Sequence, residues 1–188
     1  VLAILFSIVF ASSSAQAFLS NAQTPVCLEG PQEISVDNAR VLRFKVQEKN
    51  QFLARAYVEG KVISMPEQQG DHDHFSISIG NKATDTLEVI YNNEFGNMPN
   101  VQLGDQVTVC GDFINSFARA GGYDASPDGA IIHWVHYNPG TRSSSRGHEH
   151  GFIQFGTDLV GFDAAPAKAW DGIIGFGSPK KSRKTNHR

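Results

Sequence analysis

The chain has 188 residues, 40% of them hydrophobic and 19% charged, with 18 glycines and 13 phenylalanines, which is ordinary for one domain with a real core. The formal charge of −3 conceals an asymmetry: five of the 16 bases (Lys180, Lys181, Arg183, Lys184 and Arg188) follow the last acid, Asp171. The body before them is clearly acidic. That excludes nucleic-acid binding through a broad basic face, because phosphate contacts need Lys and Arg in number.

Residues 1–17 form an apolar run followed by small residues and Ala15-Gln16-Ala17, the pattern of a secretory signal peptide cleaved after Ala17. The run is short of the roughly 20 apolar residues of a membrane helix, so no stable span is expected in the mature form. The expected compartment is periplasmic or secreted. Export bears on Cys27 and Cys110, since two cysteines in an oxidising compartment can pair. In 105–114, alternation places Val107, Val109 and Phe113 on one face and turns Cys110 to the other, where an N-terminal segment can lie against it. A Cys27–Cys110 bridge is one expectation, and two free, poorly reactive thiols are the other.

From about residue 40 to 140 the apolar period is two. Leu42, Phe44 and Val46 alternate with Arg43 and Lys45, although Ser35 and Asp37 as caps also fit a short helix. Residues 53–64 form a long candidate strand bent at Gly60, 75–79 alternate cleanly, and 85–92 follow after a Gly-Asn turn. Residues 93–104 make a longer connection with room for one helical turn. Strands then follow at 105–114 and 130–138, separated by a Gly- and Asp-rich insertion. Five strands with a long link between the third and fourth predict a mainly β fold, a small five-stranded OB-like barrel, with a β-sandwich as the alternative. The expected organisation is a signal peptide at 1–17, an N-terminal segment at 18–52, the barrel domain at 53–160 and a flexible basic tail at 161–188. A further short strand fits 148–155. The tail is read as a solvated terminus that can also contact anionic surfaces.

Six of the seven histidines fall in three clusters: His72/His74, His133/His136 and His148/His150. Residues two apart on a strand share a face, so each His-x-His pair can offer two imidazoles to one cation, with Asp71, Asp73 and Glu149 adjacent. His133 and His136 point to opposite faces of a regular strand and converge only where it bulges or ends between them. The expected metal ligands are His72, His74, His133, His136 and His148, for a divalent ion such as zinc. The competing readings are solvated loops and, for His133, a core histidine beside Ile131, Val135 and Tyr137. Asn92, Glu94 and Asn138 lie at strand ends or in loops, where they can add polar groups to a site. Glu94 and His136 are the candidate catalytic residues. No nucleophile elbow, P-loop, CxxC or His-Glu-x-x-His motif is present.

The run Gly129-Ala-Ile-Ile-His-Trp-Val-His-Tyr-Asn-Pro139, the upstream Gly104-Asp-Gln-Val and Cys110-Gly-Asp-Phe113, and the downstream His148-Glu-His-Gly-Phe152 resemble the bacterial domain-of-unknown-function family 3465. The resemblance covers about residues 55–155. It singles out His72, His133, Trp134, His136 and His148, and it implies a small exported bacterial protein without naming an activity. Tyr137 and Asn138 stand where many relatives carry His and Asp, and Phe152 stands where Trp is common. The chain is thus expected to be an exported OB-like binding module with a histidine-rich, metal-binding site and an unidentified ligand. A metal-dependent hydrolase such as a phosphodiesterase, and a structural envelope protein, are the alternatives.

Overall fold

A computed structural model describes residues 26–140 and 148–162. The expected signal peptide and almost all of the basic tail lie outside the described residues. In chain order the elements are β1 (Cys27–Glu29), β2 (Gln32–Ile34), α1 (Asn38–Gln47), β3 (Leu53–Val62), β4 (Glu67–Gln69), β5 (His72–Ser78), β6 (Thr86–Asn92), a 3-10 turn (Asn93–Phe95), β7 (Gln106–Asn115), β8 (Ala130–His133), β9 (Phe152–Phe155) and β10 (Asp158–Val160). No helix among the described residues is long and apolar enough to cross a membrane.

Strands β3, β5, β6, β8 and β7 pair in that order, and β7 pairs again with β3 to close a five-stranded barrel. The β6–β8 contact is parallel and the others are antiparallel, as in an OB barrel. Alternation fills the interior with Ala56, Val58, Phe75, Ile77, Leu87, Val89, Tyr91, Val107, Val109, Phe113 and Ile132, all buried. Gly60 is needed where β3 leaves β7 for β5, because a Cβ there would stand 2.4 Å from the Ser78 carbonyl oxygen.

Residues 38–47 are helical, so the strand reading of Leu42, Phe44 and Val46 is corrected in favour of the capped helix. The Asp37 side chain accepts from the Arg40 backbone N–H, as an N-cap does. At the other end Asn115 Nδ2 donates to the carbonyls of Phe44 and Glu48, two acceptors that helix geometry leaves unpaired. Phe44 packs against Phe52 and Phe113, so the helix covers one mouth of the barrel. An isolated amphipathic decamer has too few turns to be stable alone, and this tertiary cap decides its state.

β7 has a second edge that two strands share. β9 pairs with residues 107–110 and β8 with residues 112–115. The hairpin of β1 and β2 lies over the outside of this region, where Cys27 and Cys110 are joined at an S–S distance of 2.04 Å. Around the disulfide Phe152 and Phe162 form a second buried cluster, flanked by Tyr57, Tyr137 and Leu159. The expected strand at 130–138 ends at His133, and the one expected from His148 begins only at Phe152. The bridge closes a loop with a sequence separation of 83 residues. Replacing both cysteines with alanine is expected to cost about 2–5 kcal/mol in urea unfolding while far-ultraviolet circular dichroism stays that of the barrel. An unchanged midpoint contradicts the expectation.

Candidate functional site on the outer barrel wall

Because Phe75 and Ile77 point into the barrel, His72, His74 and Ser76 point out. The register carries the same logic around the wall. Arg55 of β3 stands opposite Asp112 of β7, and Asp112 opposite His133 of β8. Ser76 stands opposite Glu88 of β6, and Glu88 opposite Ile131 of β8. One patch of outer surface therefore gathers Arg55, Asp112, His133, Glu88, His74 and His72.

Trp134 brings in His136. It follows the last residue of β8 with φ +50, one of two non-glycine residues with positive φ among those described. That conformation is costly for a bulky side chain and breaks the strand's alternation. His136, three positions beyond His133, is consequently not sent to the far face; it is buried and packs flat on Phe95, centroids 3.7 Å apart. His148 stacks in the same way on Trp134, also at 3.7 Å, while His133 lies 4.4 Å from Trp134 and 5.6 Å from His72, centroid to centroid. The described rings of His72, His133, His136 and His148 thus form one continuous group with two aromatic partners.

Three imidazoles have a fixed tautomer. His136 Nδ1 is 2.8 Å from the Tyr137 carbonyl oxygen, which can only accept, so Nδ1 carries the proton and Nε2 keeps its lone pair. His148 Nδ1 donates to Asp112 Oδ2 at 2.6 Å, and His74 Nδ1 to Glu88 Oε1 at 2.7 Å. Asp112 is held by Arg55, whose Nη1 lies 2.9 Å from Oδ1 with both side chains largely buried. Arg55 also donates to the carbonyls of Leu28 and His150 and touches Cys110 Sγ, so one guanidinium ties the N-terminal hairpin to residues 148–151. Gly151 permits that close seat: a Cβ there would lie 2.1 Å from the Trp134 carbonyl oxygen.

Burial pushes the His133 pKa down to about 3, helped by repulsion from protonated His72, His136, His148 and His74. Burial also lowers His136, against the opposing pull of the Tyr137 carbonyl, and lowers His72, where His74 adds to the effect. At neutral pH these three rings are neutral and hold lone pairs available for donation.

Of the residues expected to form the site, His72, His133, His136 and His148 come together, and His74 adjoins them. His148 and His150 do not act as a pair, because residues 148–150 are not a strand. His150 packs on Tyr137, and its Nδ1 accepts from the Asn138 backbone N–H, which ties that nitrogen up in the loop. Glu149 turns to Gly30 and Arg55 and is no ligand partner. Asn92 caps the 3-10 turn by accepting from the Glu94 N–H. Asn138 bonds the His148 carbonyl and accepts from the Gly140 N–H, so it fastens the loop. Glu94 lies on the exposed side of that turn, close enough to His72 and His136 to favour their protonated forms. The reading of His133 as a core histidine is corrected: it faces outward with Ile131, and Val135 turns inward instead.

Sequence reasoning missed Arg55, Asp112, Glu88 and Phe95. The available signal was a charged residue in the middle of each of β3, β6 and β7, on the face opposite the core. Among the described residues, no group of three or more His, Cys, Asp or Glu side chains already stands arranged to hold a metal ion. No family model, no curated protein and no solved structure matches the chain.

Two outcomes follow from the buried charges. Arg55→Leu leaves Asp112 without its cation and is expected to cost about 3–5 kcal/mol in urea unfolding; a loss within the ordinary surface range contradicts that role. The lowered histidine pKa values fix the sign of a pH effect. Above the ordinary histidine pKa of 6.5 both folded and unfolded chains are neutral at these rings. Below it the unfolded chain takes up protons that the folded rings refuse, so stability declines as pH falls from 6.5 toward about 3. The decline is expected to begin well above the ordinary carboxylate range of about 4, and urea midpoints measured at descending pH read it directly.

Proposed function

We propose that the outer-wall cluster makes this protein a binding module for a borderline divalent cation such as zinc, using nitrogens from His72, His133, His136 and His148. One observation carries the reading: histidines from three separate segments meet on one patch, and two of them, His136 and His148, have Nδ1 tied to an acceptor so that Nε2 is free. Carboxylate or carbonyl support of the far nitrogen is how ligating histidines are oriented. Imidazole donors suit Zn, Cu, Ni and Fe, whereas Ca and Mg want oxygen. Both cysteines are consumed in the disulfide, so the donors are nitrogen alone.

Ligation requires the rings to rotate from their aromatic partners toward a common point. Each stack is worth about 0.5–1.5 kcal/mol. Even a micromolar site gains roughly 8 kcal/mol, so the stacks do not forbid closure. The resemblance of the His-Trp-x-His strand to the domain-of-unknown-function family 3465 picks out the same histidines and supplies no activity, so the reading rests on geometry. Export to the periplasm or beyond is part of the proposal and rests on the apolar leader and the disulfide.

A second reading, metal-dependent hydrolysis of a phosphodiester, is favoured by Glu94, which stands next to the cluster as a proton acceptor for a metal-activated water. Calorimetric titration of chelator-washed protein with Zn²⁺ at neutral pH is expected to show about one ion per chain, as one cluster requires. The His72→Ala/His133→Ala variant is expected to lose that binding, and His150→Ala to retain it. Absence of heat with the unaltered chain defeats the proposal. Chelator-sensitive phosphodiester turnover that Glu94→Gln abolishes selects the second reading.

A further inference from the structure

The charge around the cluster points to what such an ion would still need. Metal-bound imidazole is a neutral ligand, so a donor set drawn from His72, His133, His136 and His148 leaves both charges of a divalent ion uncompensated. The usual remedies are already committed. Cys27 and Cys110 are a disulfide. Asp112 is spent on Arg55 and His148 Nδ1, and the Arg55 charge offsets its own. Glu88 is spent on His74 Nδ1. Three or four protein nitrogens also leave a coordination position open, as catalytic and ligand-presenting zinc sites do.

Resting on the metal-binding reading, we propose that the loaded cluster is a receptor for a small exogenous oxyanion, with a carboxylate or phosphate oxygen as the ion's remaining ligand. The wall position suits this. The face of the second and third barrel strands is where OB barrels take ligands, and here β5 and β6 present His72, His74 and Glu88 on it. A broad basic surface, the other way to hold an anion, is missing from the acidic body, so the ion itself supplies the positive charge. The chemistry sets the class of ligand: an oxygen anion small enough to reach a metal flanked by Trp134 and Phe95.

The test uses the full chain washed with chelator and loaded with Co²⁺, whose visible bands report coordination number and ligand type. Azide, acetate and inorganic phosphate are added separately at millimolar concentration. A saturable change in the bands with azide and at least one oxyanion, absent from metal-free protein, is expected. Glu94→Gln is measured beside it, because Glu94 is the remaining carboxylate near the cluster. Bands that no anion moves in the parent chain, yet that shift in Glu94→Gln, make Glu94 the anionic ligand and overturn the inference. Bands that stay fixed in both chains overturn it too, with the metal reading intact. Failure to bind Co²⁺ at all removes both.

Discussion

A guanidinium shut away from water has to be surrounded by acceptors, and the outer half of this molecule is arranged to meet that demand. Arg55 points away from the barrel core yet only 4% of its side chain is exposed. Its partners are the Asp112 carboxylate and the carbonyls of Leu28 and His150, drawn from three regions distant in sequence. Leaving any such group unpaired costs kilocalories, so the N-terminal hairpin and residues 148–151 must both close over the wall. The disulfide fixes the same closure covalently beside the same guanidinium.

That closure is what delivers His148 to the histidines of β5 and β8. Asp112 sits at the hinge of the arrangement, with one oxygen facing the cation that secures the fold and the other facing the imidazole of the cluster. Fold stability and ring orientation are therefore coupled through a single carboxylate. Farther along the wall the surface turns apolar, with Phe152, Phe162 and the cystine forming a small second core. Polar cluster and apolar cluster share β7 as their floor, the one strand that touches β3, β8 and β9.

The strain at Trp134 has a use that a regular strand could not serve. Had β8 continued, His133 and His136 would have been divided between two faces, and Val135 would have turned outward with His133's opposite partners. The left-handed residue ends the strand, keeps Val135 in the core and lets both histidines belong to one side. Stacking of Trp134 on His148 helps offset the backbone cost. Phe95 does the same for His136 from the far side of the cluster.

Much of the fold was legible in the chain, because period-two alternation in 53–62, 72–78, 86–92 and 106–115 is a local property that survives without tertiary context. It determined the barrel strands, their inward and outward faces, and hence that His72 and His74 look out while Phe75 and Ile77 look in. The cysteine pair was legible for the same reason, since parity alone turned Cys110 away from the core. Residues 38–47 were not decided by their own pattern, and Asn115, 68 positions beyond the end of the helix, was needed to cap it there. Nor did spacing reveal that His148 and His150 part company, because residues 148–150 take their shape from Arg55, Asp112 and Asn138 and not from strand pairing. Sequence by itself set which side of the wall each residue occupies, since that depends on neighbours one bond away. Only the tertiary structure decided which segments meet there, because that depends on the distant partners a buried charge and a strained turn require.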